Sequence, residues 1–159
     1  MHIKTHRLRA DVTLKSVWHN DPPEVCLKFM DKIIYHGDLR CDTTFTVDEK
    51  MPAGPGWITV DLLNKQPTDT CSETGRDKAI IVDSIVFNNI PSPKYVWEGL
   101  YTPKYHEEWY QQQVAQGNQP ESVLKYHNYL GWNGEWRLDF SIPIFTWIHH
   151  LEDLGWIYD

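Results

Sequence analysis

The polar segment 67–77, PTDTCSETGRD, lies between two apolar runs and has the strongest chemical signal in the sequence. It contains three carboxylates, Asp69, Glu73 and Asp77, together with several hydroxyls and backbone carbonyls. Because calcium takes about six to eight oxygen ligands of these kinds, the segment predicts a calcium site at Asp69, Glu73 and Asp77. The spacing is not that of an EF-hand, so the alternative is a solvated loop capped by its own Asp and Thr side chains.

Four other polar residues have weaker signals. Asp83 lies inside an apolar run, so it needs a partner, which is either a lysine, an arginine or a backbone amide, or else a bound cation. Asp61 faces outward from a predicted strand and is expected to meet a cross-strand lysine. His149 and His150 are adjacent in a predicted helix and point apart, and no other His or Cys spacing indicates a zinc or iron site.

Catalytic motifs are not found in the sequence. Glu107, Glu108 and Glu135 lie beside tryptophans, where the carboxylates of a glycosidase could lie next to rings that stack on sugars. However, the sequence has no nucleophile elbow, no P-loop and no dinucleotide-binding fingerprint. We therefore predict a protein without catalytic activity, with a polysaccharide-acting enzyme as a minor alternative.

The charge and composition of the 159-residue chain limit its partners. A formal net charge of −7, with scattered Lys and Arg, argues against a general electrostatic grip on nucleic acid or on an anionic membrane. No apolar stretch is long enough to span a membrane, and the start MHIKTHRLRADV lacks the apolar core of a signal peptide, which predicts a soluble protein made in a cytoplasm. Cys26, Cys41 and Cys71 are expected to be reduced thiols, although a single bridge is an alternative.

Strand patterns dominate the first part of the chain. Alternation of apolar and polar residues over 2–17 predicts a long amphipathic strand, and shorter strands follow before a turn-rich connection over 48–56. The apolar runs 57–65 and 78–88 predict a long hairpin with 66–77 as its loop. Several short strands with frequent breakers favour an antiparallel sandwich over a parallel sheet.

The last third of the chain differs in composition. Segment 92–129 is rich in Trp, Tyr and Pro, so we expect a long ordered aromatic flap, with a short helix over 106–116. A strand over 135–142 follows, and a proline then opens a helix over 143–154. We predict a single domain over 1–159 that is an all-β antiparallel β-sandwich of jelly-roll type, with a long aromatic loop region and a short C-terminal helix.

Two resemblances rest on ordered motifs. Segment 56–90, with NKxxxDT followed by DKAIIVDSIVFNNI, resembles calcium-dependent, xylan-binding carbohydrate-binding modules of jelly-roll type. The chain also resembles small β-sandwich virion-type proteins of tailed bacteriophages, chiefly marine ones. That second resemblance lies in NK…DT, the IxVDxIxxxxI strand, the segment YTPKY at 101–105 and the closing run LGWNGEWxLxFxxPIFxW, which follow one another in this order over the last two-thirds of the chain.

These resemblances imply a jelly-roll fold and a role in the virion or in glycan adhesion. They imply a non-catalytic virion accessory protein, placed at the capsid, neck or fibre and assembled in the cytoplasm of the host bacterium. A bound glycan would stack on Trp97, Tyr101 and Tyr105, while the loop acids would hold calcium or sugar hydroxyls.

The alternative is a purely structural assembly or decoration protein without glycan affinity. The aromatic flap and the C-terminal tail would then hold neighbouring subunits, with Trp147, Trp156 and Tyr158 as interface residues. Its partners would be other virion proteins or further copies of this chain in a homo-oligomer.

Overall fold

The computed structural model describes residues 3–153, which form two antiparallel β-sheets followed by a short C-terminal helix. The strands are β1 (Thr5–Val17), β2 (Glu24–Phe29), β3 (Lys32–Asp38), β4 (Thr43–Pro52), β5 (Gly54–Leu62), β6 (Ala79–Phe87), β7 (Ile90–Pro91), β8 (Leu100–Pro103), β9 (Leu124–Lys125), β10 (Tyr129–Leu130) and β11 (Gly134–Ile142). The helices are α1 (Lys94–Trp97), α2 (Glu107–Ala115) and α3 (Ile144–Glu152), and a 3-10 turn spans Pro67–Asp69.

The first sheet has the strand order β10-β6-β1-β4, with β7 also paired to β6. The second sheet has the order β3-β2-β5-β11-β8-β9. Every pairing between neighbouring strands is antiparallel. The prediction of an all-β antiparallel sandwich with a C-terminal helix is confirmed.

The predicted hairpin of 57–65 and 78–88 is wrong. Strand β5 pairs with β2 and β11 in the second sheet, whereas β6 pairs with β1 and β10 in the first. The polar segment 63–78 between them is therefore a connection from one sheet to the other, and we call it the inter-sheet connection. Alternating apolar residues identify a strand with one buried face, but both sheets of a sandwich bury such a face, so alternation does not identify the partner strand.

The turn-rich connection predicted over 48–56 is also wrong. Strand β4 continues to Pro52 and β5 begins at Gly54, so a single residue separates a strand of the first sheet from a strand of the second.

Asp83 in β6 is exposed and lies 3.4 Å from Lys15, which is a partner of the expected kind.

The core lies between the sheets and extends into segment 92–129. Trp136 of β11, Tyr95 of α1 and Tyr101 of β8 are its largest fully buried side chains. Strand β8 pairs with β11 and β9 pairs with β8, so two short strands of this aromatic segment extend the second sheet. These pairings fix the segment to the edge of the second sheet.

Helix α3 packs on the core through Ile144 and Ile148, which are buried. The ring of Trp147 has its centre 5.7 Å from that of Phe87, 5.7 Å from that of Tyr95 and 6.2 Å from that of Phe140. Trp147, predicted as an interface residue, is therefore used as a core contact within its own chain. The other predicted interface residues, Trp156 and Tyr158, lie outside the described residues.

The three cysteines, Cys26, Cys41 and Cys71, are all free thiols. The expectation that they are reduced in the protein stays a prediction. Among the helices within residues 3–153, none is long and apolar enough to cross a membrane.

An aromatic cleft as the candidate binding site

Asp77, a predicted calcium ligand, is surrounded by hydrogen-bond donors. Its Oδ1 accepts hydrogen bonds from Lys65 Nζ, from Thr70 Oγ1 at 2.7 Å and from the backbone N–H of Lys78 at 2.8 Å. Its Oδ2 accepts one from the hydroxyl of Tyr129 at 2.6 Å. Burial acts to raise the pKa of Asp77, but the hydrogen bonds from Lys65, Tyr129 and Thr70 outweigh it and hold the pKa below its usual value.

Asp69, the second predicted ligand, is buried and also lies beside a lysine. Its Oδ2 is 3.3 Å from Lys78 Nζ and accepts a hydrogen bond of 2.7 Å from the backbone N–H of Gln66. Lys78 Nζ donates a further hydrogen bond of 2.9 Å to Asp21 Oδ2. A buried ammonium or carboxylate group requires a partner of opposite charge, and this network supplies one for each.

This arrangement does not fit a calcium site at Asp69, Glu73 and Asp77. The carboxylates of Asp69 and Asp77 face ammonium groups, whereas Glu73 is exposed in the turn between Cys71 and Arg76. Within residues 3–153, no three His, Cys, Asp or Glu side chains come together in a group that could hold a metal ion. The signal that sequence reasoning missed is the lysine at each end of the loop, Lys65 and Lys78.

Beside this network lies a cluster of aromatic rings. Trp109 of α2 and Trp132, from the turn that precedes β11, have ring centres 4.7 Å apart. Tyr105 stacks on Trp109 at 5.2 Å and meets the edge of Trp132 at 5.4 Å. The ring of His106 lies 5.1 Å from that of Trp132.

Two polar residues fix Trp132 in place. The hydroxyl of Tyr101 donates to the carbonyl of Trp132 and accepts a hydrogen bond of 3.0 Å from its backbone N–H. The next residue, Asn133, accepts a hydrogen bond of 2.7 Å from the backbone N–H of Lys65 and donates one of 3.0 Å to its carbonyl. The turn that presents Trp132 is therefore joined directly to the start of the lysine network.

A half-open cleft of about 410 Å³ lies between the inter-sheet connection, helix α2 and this turn. Its lining combines aromatic faces with a few polar side chains, as ligand-binding clefts usually do. We call it the aromatic cleft, and its lining residues are Lys65, Pro67, Thr70, His106, Glu108, Trp109, Gln112, Gly131 and Trp132.

His106 lines the cleft and has one ring nitrogen without a hydrogen-bond partner among residues 3–153. Its Nε2 is buried and makes no hydrogen bond to any residue within 3–153. Burial lowers the pKa of His106, and the neighbouring charge of Lys65 lowers it further, while Asp69 acts in the opposite direction. The imidazole is therefore neutral at pH 7.

The three predicted stacking residues have different places in the structure. Tyr101 is fully buried, and its hydroxyl is bonded to Trp132, so the prediction that it stacks on a ligand is wrong. Tyr105 belongs to the aromatic cluster behind the cleft and also lines a neighbouring open groove of about 620 Å³. Trp97 is 41% exposed at the end of α1, but it does not line the aromatic cleft.

Fold and cleft together define a β-sandwich with a half-open aromatic cleft at one edge. No family model matches the chain, and no curated protein matches it significantly. Among solved structures, the module vCBM60 in complex with galactobiose is similar with a TM-score of 0.47 and 17% identity, over 82% of this chain and 96% of that chain.

A second similar structure is the selenomethionine form of vCBM60, solved in connection with a circular permutation that links two families of calcium-dependent carbohydrate binding modules. It has a TM-score of 0.50 and 16% identity, over 82% of this chain and 89% of that chain. At this identity the likeness shows the fold, a β-sandwich, and transfers no ligand.

Proposed function

We propose that this protein is a non-catalytic, carbohydrate-binding-like module that holds a glycan in the aromatic cleft. The observation that carries the proposal is the pair Trp109 and Trp132, 4.7 Å apart in the wall of a half-open cleft. The C–H face of a pyranose ring is flat and apolar and packs well on an indole ring. Its hydroxyls need donors and acceptors at the ring edge, and the His106 ring and the Gln112 amide lie in the same lining.

The fold agrees with this class of function. The selenomethionine form of vCBM60 shares the sandwich architecture and is connected with calcium-dependent carbohydrate binding modules. Because one fold serves many functions, the argument for a glycan rests on the cleft and not on this likeness.

The first experiment is a screen of the purified chain on an oligosaccharide array, followed by calorimetric titration of the strongest hit. We expect Trp109→Ala and Trp132→Ala each to weaken binding by about 10- to 100-fold, since truncating a buried aromatic contact costs about 1–3 kcal/mol. Trp97→Ala is the matched control because Trp97 is an exposed tryptophan outside the cleft. An array without hits, or equal binding by all three variants, contradicts the proposal.

The absence of catalysis is tested with the same hit. After long incubation with the protein, we expect the oligosaccharide to remain intact by chromatography. Release of shorter products would instead favour the polysaccharide-acting enzyme.

For location, we propose that the module is assembled in a bacterial cytoplasm into the virion of a tailed phage, together with other virion proteins or copies of itself. This part is supported by the order of sequence motifs over the last two-thirds of the chain. Mass spectrometry of purified particles from a phage that encodes the chain tests it. We expect the protein at a fixed stoichiometry in the particles, and its absence from them contradicts the proposed location.

A further inference from the structure

We propose that Lys65 and Lys78 are positioning residues of the aromatic cleft. Their ammonium groups occupy the place that a divalent cation would otherwise take, and they hold the inter-sheet connection in position. The cleft is then shaped without calcium. The ligand-binding part of this inference rests on the proposed function, whereas the structural part rests on the ion pairs alone.

The first step is the burial of the two ammonium groups. Lys65 and Lys78 are each 3% exposed, which is unusual for lysine. Lys65 Nζ donates to Asp77 Oδ1 and, at 2.7 Å, to the carbonyl of Lys78. These two hydrogen bonds join the two ends of the inter-sheet connection, because Lys65 lies before the 3-10 turn and Lys78 lies directly before β6.

The second step is the pairing of Lys78. Its Nζ lies 2.9 Å from Asp21 Oδ2 and 3.3 Å from Asp69 Oδ2. Burial acts to lower the pKa of Lys78, but the hydrogen bonds to Asp21 and Asp69 outweigh it and the pKa is raised. Lys78 is therefore a fixed positive charge between two carboxylates that come from different segments of the chain.

The third step is the link from this network to the cleft. Thr70, which lines the cleft, donates a hydrogen bond of 2.7 Å to Asp77. Asn133 bonds the backbone of Lys65 and is the neighbour of Trp132. Displacement of the lysines would thus move both the polar wall and one of the two tryptophans.

The fourth step concerns the cation itself. Calcium needs about six to eight oxygen ligands, and here the carboxylates of Asp21, Asp69 and Asp77 are already engaged with ammonium groups. Replacement of Lys78 by an uncharged side chain would leave the carboxylates of Asp21 and Asp69 facing each other without a positive charge between them. Such a variant should gain an affinity for divalent cations that the natural chain lacks.

Thermal unfolding of the full chain in EGTA and in millimolar calcium chloride tests the structural part. We expect the same Tm for the natural chain in both. We expect Lys78→Met to lower the Tm in EGTA by on the order of 10 °C, since it leaves the buried carboxylate of Asp69 without the ammonium group beside it. Calcium should then restore several degrees to this variant, because it binds only the folded state.

Two matched variants separate positioning from a general loss of charge. Lys94 is paired with Glu152, but its side chain is 51% exposed. Because exposed ion pairs contribute little to stability, Lys94→Met should change the Tm by at most about 2 °C. Lys78→Arg keeps the positive charge and should remain insensitive to calcium. If Lys78→Met does not fold, Asp69→Asn replaces it, and we expect that variant to have a lowered Tm without a response to calcium.

The inference is overturned if calcium raises the Tm of the natural chain, if Lys78→Met responds to calcium no more than the natural chain does, or if the substitute Asp69→Asn keeps the natural Tm. The ligand-binding part uses the strongest array hit as its probe. We expect equal affinity of the natural chain in EGTA and in calcium, whereas the affinity of Lys78→Met should recover on adding calcium. If no glycan binds, the proposed function fails, but the unfolding measurements still decide whether the lysines replace a cation.

Discussion

Asp61 and Glu135 are directly opposite each other on neighbouring strands β5 and β11. Burial raises the pKa of Asp61, and the Glu135 carboxylate raises it further, although Lys28 and Lys104 act against this. The expectation that Asp61 meets a cross-strand lysine is therefore only partly met, because its opposite residue on β11 is an acid. When folding raises the pKa of a carboxyl, the charged form of that carboxyl destabilises the folded state. Its relative contribution to stability is full below the unfolded pKa near 3.8 and is lost as pH rises through the folded pKa.

We predict that Asp61→Asn stabilises the protein at pH 7 by about 0.5–1 kcal/mol, because it removes one of two like charges that are directly opposite in a sheet. The gain should disappear near pH 3, where the Asp61 carboxyl, with its raised pKa, is protonated. Urea unfolding at the two pH values measures the difference. Asp83→Asn is the control: Asp83 is paired with Lys15 at the surface, so its removal should not stabilise. A gain of equal size for both variants contradicts the explanation by like charges.

Single residues of the aromatic segment show what sequence patterns can predict about a site. Tyr101 alternates with the exposed Leu100 and Thr102, but β8 has only four residues, too short a run to reveal a strand by periodicity. By contrast, Trp109 and Gln112 lie three residues apart where the sequence predicts a helix, so their shared face could be found from spacing. The burial of Lys65 and Lys78 could not be predicted, because it depends on how the segment between them folds back on itself and on Asp21 from another part of the chain.

At the scale of elements, the strands were easier to predict than their partners. Alternation in β1, β5 and β11 follows from one buried face. Strands β1 and β11 lie close to their predicted bounds, whereas β5 begins and ends three residues earlier than predicted. The partner of β5 depends on how the whole chain closes into two sheets, which local alternation does not contain. Local alternation therefore predicts the inter-sheet connection as the loop of a hairpin, and it contains no information about the role of this segment in forming the cleft.

The turn between α1 and β8 depends on a close contact with β11. A Cβ at Gly99 would lie 2.2 Å from Cε2 and Cζ2 of Trp136, which is fully buried. The backbone at Gly99 is not in the left-handed region, so the requirement for glycine there is one of space. The Trp136 ring has no room to retreat in a close-packed core.

We predict that Gly99→Ala lowers the free energy of unfolding by about 2–3 kcal/mol, through overpacking against Trp136. For a chain of this length that corresponds to a fall in Tm of roughly 5–10 °C. Gly117→Ala is a useful comparison, because that site has open space and a φ of +85°, and it should cost only about 1 kcal/mol. Equal Tm values for Gly99→Ala and the natural chain would show that Trp136 does not pack tightly at this turn.

At the scale of the whole molecule, folding raises the pKa of three tyrosines and one lysine, all buried except Tyr129. Burial raises the pKa of Tyr95 to about 12, and it also raises that of Tyr101 well above its usual value. Burial and the hydrogen bond to Asp77 raise the pKa of Tyr129, and the pKa of Lys78 is raised as described above. For each group the folded pKa exceeds the unfolded one. The stability that each contributes is thus full below pH 10.0 for the tyrosines and 10.5 for the lysine, and it is lost as pH rises through the folded pKa.

We predict cooperative alkaline unfolding between about pH 11 and 13. Each of the buried groups Tyr95, Tyr101 and Lys78 lowers the free energy of unfolding by up to about 1.4 kcal/mol per pH unit, and the partly exposed Tyr129 adds less. Together they exhaust a typical stability of about 5–15 kcal/mol within a few pH units. Circular dichroism and the absorbance of tyrosinate, recorded in the same titration, measure both events. We expect part of the tyrosinate signal to appear only together with the loss of β-structure, since Tyr95, Tyr101 and Tyr129 keep their protons while the two sheets remain packed. If all tyrosines ionise near pH 10 while the circular dichroism is unchanged, the hydroxyls of Tyr95, Tyr101 and Tyr129 are not held by burial and hydrogen bonds in the way that the structure shows.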